Sequence, residues 1–286
     1  MYLPTDHFIP YRSSQLHYYV WGTGPGILFA FHGYGESGSS FTFIGEALGP
    51  DFTLVAIDLP FHGRTDWKEG LSFTSDQLYE IMQDIASRLP RLPVGSALSD
   101  ASPTPRWRLV GYSMGGRIAL QLVENYPGQF TRLILLAPDG LKVNLWYRIA
   151  TRTVLGNLLF RWTMRRPAGL FFILRLTHAL RLANAGIYKF AIHHIDDQKV
   201  RHELYTRWTT MRKFKPDLAA VAAVILRQQL HVSLVYGRYD RIIRWEAGQR
   251  FRDRGIADLC RLILLDTGHQ LLRPQFLPDL LPLLTS

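Results

Sequence analysis

The sequence has 286 residues, of which 47% are hydrophobic and 20% are charged, as is typical of a globular protein with one large core. The formal net charge at pH 7 is +10, and a single cysteine, Cys260, excludes an internal disulfide. No apolar stretch reaches the roughly 18 residues that a membrane span requires, and no secretory signal is visible at the N-terminus. These features predict a cytoplasmic protein.

Strand and helix patterns alternate over the first 140 residues. Short, fully apolar strands that alternate with helices predict a parallel sheet covered on both faces. Thr74 and Gln77 have the spacing of a capping box at the start of a helix over Thr74–Arg88, and the Pro-, Ser- and Ala-rich stretch from Pro90 to Pro105 predicts an exposed loop. The predicted strands are Gln15–Trp21, Gly26–Phe31, Phe52–Ile57, Trp107–Val110 and Arg132–Ala137, and a second helix is predicted over Gly116–Asn125.

Residues 141–215 interrupt this alternation. They combine helical periodicity with many aromatic residues, and they contain 15 Lys and Arg residues but only three acidic ones. Strand patterns return at His231–Tyr236 and Arg261–Leu265, with helices at Asp217–Gln229, Trp245–Arg254 and Pro274–Leu284. The sequence therefore predicts a core formed by residues 1–140 and 216–286, interrupted by a helical insertion over residues 141–215.

The segment from Gly111 to Gly116 has the pattern Gly-x-Ser-x-Gly, with Ser113 at its centre. A strand pattern precedes it and a helix pattern follows it, which is the context of a nucleophile elbow. Such a turn holds the serine backbone under strain and tolerates only very small neighbours, a demand that the glycines meet. Ser113 is therefore predicted to be a nucleophile.

A nucleophilic serine needs a base that takes its proton and an acid that orients the base. Asp240 and His269 each follow directly after a predicted strand of the second half of the core. In parallel sheets, clefts open at these carboxyl ends of the strands. The chain order Ser113, Asp240, His269 is one of the known orders of such triads. Asp139, which lies in an Asp-Gly turn after the predicted strand Arg132–Ala137, is an alternative candidate for the acid.

Together with these residues, His32-Gly33-Tyr34-Gly35 and the segment from Asp58 to Thr65 make the chain resemble the serine-nucleophile branch of the α/β-hydrolases with a helical cap. The resemblance covers essentially the whole chain. It implies an eight-stranded, mostly parallel sheet with a helical cap inserted after the sixth strand. It also implies an oxyanion hole formed by the backbone N–H groups of Tyr34 and Met114, with His32 bracing the loop.

The main functional hypothesis is a serine hydrolase that acts on a carboxylic ester or a related acyl substrate without a cofactor. The elbow is also similar to that of the menaquinone-pathway synthases, lyases that abstract a proton and eliminate pyruvate, and by matching position Arg117 would bind a substrate carboxylate. Hydrolases of C–C bonds on the same fold are a further alternative. A ligand receptor or scaffold on this fold is the non-enzymatic alternative.

The basic excess over residues 141–215 points to a partner of opposite charge or to a solvated helical surface. We expect a small-molecule substrate with an apolar acyl group or an anionic end, and contact with an anionic membrane surface is an alternative use of the basic segment. No nucleic-acid recognition motif is visible, so nucleic acid is not expected as a partner. His193 and His194 are adjacent and would point apart on a helix, so no metal site is expected. The sequence gives no indication of the oligomeric state.

Overall fold

The computed structural model describes residues 3–90, 106–142, 145–169, 171–172 and 196–285. Most of the predicted loop between Pro90 and Pro105, and the His193–His194 pair, lie outside these residues. The chain divides into two compact units. The first contains the described residues of the ranges 1–69, 73–142 and 213–286, and the second contains those of 70–72 and 143–212, which we call the helical unit.

One sheet of eight strands forms the centre of the first unit. The strands are β1 (Thr5–Tyr11), β2 (Ser14–Trp21), β3 (Gly26–Phe31), β4 (Phe52–Ile57), β5 (Trp107–Tyr112), β6 (Phe130–Leu136), β7 (His231–Gly237) and β8 (Cys260–Leu265). Their order across the sheet is β1-β2-β4-β3-β5-β6-β7-β8. β2 runs antiparallel to both β1 and β4, and the other neighbouring pairs are parallel. The expected eight-stranded, mostly parallel sheet is confirmed.

Nine α-helices are present among the described residues. They are α1 (Thr42–Ala47), α2 (Ser75–Arg88), α3 (Met114–Asn125), α4 (Leu145–Arg152), α5 (Val154–Arg165), α6 (Gln198–Thr210), α7 (Leu218–Gln228), α8 (Glu246–Arg252) and α9 (Leu277–Thr285). At the start of α2, the Thr74 side chain accepts a hydrogen bond from the Gln77 N–H, and the Gln77 side chain accepts one from the Thr74 N–H. The predicted capping box is therefore confirmed. None of the described helices is long and apolar enough to cross a membrane.

The core of the first unit lies around the central strands. Each of β3, β4 and β5 contributes a run of buried apolar side chains, as is usual for a parallel sheet covered on both faces. The helix α3 contacts β5, β3 and β6, and every residue from Met114 to Val123 is buried. Burial of this helix on all sides fixes the position of its first residue, which follows directly after Ser113.

The helical unit has its own internal packing. The ring of Phe160 on α5 contacts the rings of Tyr205 and Trp208 on α6, with centroids 5.4 and 5.8 Å apart. Asn157 on α5 donates hydrogen bonds to the Ala150 carbonyl and to the Thr209 hydroxyl, both at 3.2 Å. One face of α5 is therefore held against α4 and α6 by both apolar and polar contacts.

Candidate active site

Ser113 occupies the turn between β5 and α3 in a conformation that is rare for a residue with a side chain. Its φ is 49° and its ψ is −112°. Three backbone hydrogen bonds hold the turn: the Ser113 N–H donates to the Leu136 carbonyl, and the Ser113 carbonyl accepts from the N–H groups of Gly116 and Asp139. Because β6 and the loop after it supply two of these bonds, the strained turn is fixed by its neighbours.

The glycines of the motif are required by close backbone contacts. A Cβ atom at Gly115 would lie 2.0 Å from the carbonyl oxygen of Phe31, and one at Gly111 would lie 2.5 Å from the carbonyl oxygen of Gly115. At Gly116, a Cβ atom would lie 2.5 Å from the Cβ of Pro138. The first two contacts are with backbone atoms, which cannot rotate away, so the elbow excludes any larger residue at these positions.

The side chains of Ser113, His269 and Asp240 meet at one edge of the sheet. The Ser113 Oγ lies 3.2 Å from the His269 Nε2, and the His269 Nδ1 lies 2.7 Å from the Asp240 Oδ2. These residues follow β5, β8 and β7, so the carboxyl ends of three strands supply the cluster. The Asp240 side chain is fully buried and the His269 side chain is 15% exposed.

The Asp240 carboxylate has a second set of partners that fix its orientation. Its Oδ1 accepts hydrogen bonds from the N–H groups of Ile242 and Ile243, at 2.7 and 2.9 Å. An ionised carboxylate can only accept, so the His269 Nδ1 carries the proton that joins the two side chains. The His269 Nε2 is then left with its lone pair directed at the Ser113 hydroxyl, as a general base requires.

Tyr112, directly before the elbow, contacts the loop that carries His269. Its hydroxyl donates to the His269 carbonyl at 3.1 Å, and the two rings have centroids 5.4 Å apart. Burial, and then the negative charges of Glu36 and Asp240, raise the pKa of Tyr112 well above its usual value. The Tyr112 phenol therefore stays neutral near pH 7 and keeps its hydrogen bond to the His269 carbonyl.

The loop after β3 carries the second predicted oxyanion donor, Tyr34, whose side chain is exposed. His32 is fully buried; its Nδ1 donates to the Gly33 carbonyl at 2.8 Å, and its Nε2 accepts from the Leu59 N–H at 3.1 Å. These bonds agree with the bracing role expected for His32. The other predicted donor, Met114, is the first residue of α3, where a backbone N–H has no partner within the helix.

Glu36 lies in the same loop and was not predicted from the sequence to be a site residue. Its Oε2 accepts a hydrogen bond from the Gly33 N–H at 3.2 Å, and the Glu36 N–H donates to the Gly33 carbonyl at 3.3 Å. Burial raises its pKa, while the Gly33 N–H and the nearby His269 act in the opposite direction. The sequence signal that could have identified Glu36 is an acidic residue three positions after Gly33, a spacing that allows its side chain to accept from the Gly33 N–H.

Asp58 at the end of β4 connects this loop to the antiparallel edge of the sheet. Its Oδ1 accepts from the Gly38 N–H at 2.6 Å, and its Oδ2 accepts from the Arg64 N–H and the His17 Nδ1, both at 2.8 Å. The side chains of Asp58 and His17 are both fully buried. Because a buried carboxylate must be satisfied by hydrogen bonds, this cluster fixes the end of the loop at Gly38, where a 3-10 helix over Gly38–Phe41 begins.

Arg117 and Asp139 lie together on the other side of the elbow. Arg117 is 3% exposed, and its Nη1 lies 3.4 Å from the Asp139 Oδ2. The Asp139 N–H donates to the Ser113 carbonyl at 2.8 Å. The guanidinium that was predicted to bind a substrate carboxylate is thus paired with a carboxylate of the chain itself, whereas His269 contacts Asp240 and not this rival acid.

The described residues contain no group of three or more His, Cys, Asp or Glu side chains that could hold a metal ion. Cys260 on β8 is buried, and burial raises the pKa of its thiol to about 12. It is a core residue rather than a second nucleophile.

Comparison with known proteins identifies similar chains. A family model described as serine aminopeptidase, S33, matches residues 24–273. An uncharacterised hydrolase of Bacillus subtilis, YugF, is 25% identical over 271 residues, which cover 92% of this chain and 90% of that protein. The pimeloyl-[acyl-carrier protein] methyl ester esterase of Aeromonas salmonicida is 27% identical over 231 residues, which cover 78% of this chain and 80% of that enzyme.

Other matches are partial or structural. The chain spans about 40% of the length of three uncharacterised mycobacterial relatives, to which it is 29% identical over 150 residues. Among solved structures, the thioesterase domain from the curacin biosynthetic pathway superposes with a TM-score of 0.62 over 99% of this chain and all of that domain. At 16% sequence identity, this likeness bears on the fold alone.

Proposed function

The chain belongs to the serine aminopeptidase, S33, family of α/β-hydrolases, and from this premise we propose that it hydrolyses carboxylic esters or related acyl compounds through a triad of Ser113, His269 and Asp240. The observation that carries the proposal is the continuous pair of contacts, 3.2 Å from serine to imidazole and 2.7 Å from imidazole to carboxylate. A relative whose name describes a methyl ester esterase supports the same reaction class.

In the proposed reaction, each residue of the cluster has one role. His269 accepts the Ser113 proton as the oxygen attacks the substrate carbonyl, and Asp240 stabilises the imidazolium that forms. The protonated His269 then gives its proton to the leaving alcohol. The resulting acyl-serine is hydrolysed when His269 activates a water molecule in the same way.

The negative charge that develops on the carbonyl oxygen requires donors that are already in position. We assign these to the backbone N–H groups of Met114 and Tyr34. Met114 begins α3, so the partial positive charge of the helix N-terminus adds to its N–H. The loss of one such donor typically costs roughly 10²- to 10³-fold in rate.

The experiment that tests this function compares Ser113→Ala with wild type on short p-nitrophenyl esters. Loss of the nucleophile should reduce kcat by at least about 10⁴-fold. Ser87→Ala is the matched control, because the Ser87 hydroxyl bonds only locally on α2, to the Asp84 carbonyl. Labelling of wild type, but not of Ser113→Ala, by a fluorophosphonate would identify the reactive hydroxyl. Undiminished ester turnover in Ser113→Ala would refute the proposal.

The elimination reaction is distinguishable in the same assay. A burst of p-nitrophenol that leaves an acyl group on Ser113 would favour the esterase, whereas no burst, together with elimination of pyruvate from the menaquinone-pathway intermediate, would favour the lyase. The pairing of Arg117 with Asp139 favours the hydrolase, because a substrate carboxylate would have to compete with a carboxylate already 3.4 Å from that guanidinium. The cap over residues 141–215 and its role in substrate selection stay predictions.

A further inference from the structure

The helix α5 presents a row of large apolar side chains to solvent. Val154, Leu155, Leu158, Leu159 and Trp162 are between 52% and 82% exposed. Their spacing along the helix places them on one face over a little more than two turns. Exposed apolar residues are common singly, but a contiguous row of five on a helix indicates an interaction surface.

The exposed row is not the face with which α5 packs in its own unit. The opposite face carries Asn157, Phe160 and Met164, which contact α6 or are buried. The Arg201 Nε on α6 also donates to the carbonyl of Met164 at 3.0 Å. Because these contacts already hold the helix, the outer row contributes nothing to the packing of α5 on α6.

Four exposed arginines lie on α4 and α5 or directly after α5. Arg148 on α4, Arg161 and Arg165 on α5, and Arg166 directly after it are all exposed. Neither α4 nor α5 contains an acidic residue. Three acidic residues are described elsewhere in the unit: Asp197 caps α6, Glu203 pairs with Arg207, and Asp196 is exposed before α6. The charged side chains of α4 and α5 themselves are all positive.

We propose that the outer face of α5 binds an anionic lipid surface. A helix that lies in the membrane interface buries its apolar face at the acyl boundary and places arginines beside the lipid phosphates, and Trp is enriched at this depth. The aliphatic row, Trp162 and the flanking arginines of α5 match this arrangement. A second copy of the chain is a poor alternative, because two α5 surfaces would bring like charges together.

Binding to vesicles tests this assignment. The full chain is centrifuged with vesicles of phosphatidylcholine alone or of phosphatidylcholine with phosphatidylglycerol, at low and high salt. We expect binding to the anionic vesicles that weakens as salt increases. Binding does not depend on catalysis, so Ser113→Ala should bind equally well; this separates the present proposal from the proposed function and prevents lipid hydrolysis from altering the vesicles.

Two double variants locate the surface. Arg161→Gln with Arg165→Gln should lower the partition coefficient about 30-fold, which corresponds to about 1 kcal/mol for each arginine near an anionic membrane. Leu155→Ser with Leu159→Ser should lower it at least about tenfold through loss of apolar burial. The matched controls change exposed residues of the first unit: Arg227→Gln with Arg254→Gln, and Leu3→Ser with Leu226→Ser.

Several outcomes would overturn the assignment. They are absence of vesicle binding at low salt, equal binding to neutral and anionic vesicles, and equal losses in the α5 variants and the controls. Concentration-dependent self-association that is abolished by the Leu155 and Leu159 changes would indicate a second copy instead. Tight binding of an acidic protein that displaces the vesicles would indicate a protein partner. Circular dichroism and thermal unfolding of each variant exclude loss of folding as the cause of lost binding.

Discussion

Replacement of Asp240 by Asn tests the role of the acid with the least change in shape. The Asp240 Oδ1 accepts two backbone N–H groups at 2.7 and 2.9 Å, so the oxygen of the new amide is expected to keep that position. The amide nitrogen then takes the place of Oδ2, which in the wild type lies 2.7 Å from the His269 Nδ1. Since an amide nitrogen donates, the imidazole must accept at Nδ1 and carry its proton on Nε2.

The magnitude follows from this reversed tautomer. With a proton on Nε2, His269 cannot accept the proton of Ser113 across the 3.2 Å contact, although every heavy atom stays in place. The equivalent change in a serine protease triad lowers kcat by about 10⁴-fold, or about 5.5 kcal/mol of transition-state stabilisation. We expect a loss of that order in kcat with little change in KM, because substrate contacts are preserved.

The assay is steady-state hydrolysis of p-nitrophenyl butyrate, with Asp139→Asn as the matched control. Asp139 follows β6 and is the rival acid, but its carboxylate pairs with Arg117. Its replacement should lower the free energy of unfolding, because it removes the carboxylate that lies 3.4 Å from a nearly buried guanidinium, and should reduce kcat less than tenfold. An Asp240→Asn enzyme with more than a tenth of the wild-type kcat, or equal losses in the two variants, would refute the reasoning.

The remaining predictions concern stability near the site. Gly115→Ala should lower the free energy of unfolding by at least about 2 kcal/mol, because its Cβ would lie 2.0 Å from the Phe31 carbonyl oxygen. The control Gly49→Ala should change the free energy of unfolding by less than about 0.5 kcal/mol, because a Cβ at Gly49 would have no atom within 4 Å. Equal urea midpoints of the two variants would contradict this prediction. Burial holds the pKa of Glu36 above its usual 4.5, so its contribution to stability is present below pH 4.5 and is lost as pH rises through the raised pKa. Glu36→Gln should therefore have a Tm that increases relative to wild type between pH 4 and pH 8, and a constant difference would be evidence against this pKa.

Much of the sheet could be predicted because its strands are short apolar runs. Gly26–Phe31 and Phe52–Ile57 agree with the prediction at both ends. The first strand, β1, was missed because an edge strand has few buried residues; it contains Pro10, and only Ile9 and Tyr11 are buried. The short helix α1 was missed because its six residues include Gly45, which is selected for its contact with Trp21 rather than for helix formation.

The site could be predicted only where a local pattern marks it. Ser113, Asp240 and His269 each follow a strand in a recognisable turn, so their meeting at one sheet edge follows from parallel topology. The bonds of Asp58 to His17 and Gly38 join three separate segments and have no sequence signature. The burial of Arg117 could not be predicted either, because Arg117, Gln121 and Glu124 have the spacing of a polar helix face, yet α3 is buried on every side from Met114 to Val123.

The proposed triad cannot be complete before the edge strand β8 has joined the sheet. His269 follows β8, which pairs only with β7 in the sheet of the described residues and is the last strand along the chain. A folding intermediate in which this final strand has not yet docked would have the nucleophile but not its base. If the proposed esterase function holds, recovery of ester turnover after dilution from denaturant should therefore not precede protection of the β8 amide hydrogens from exchange.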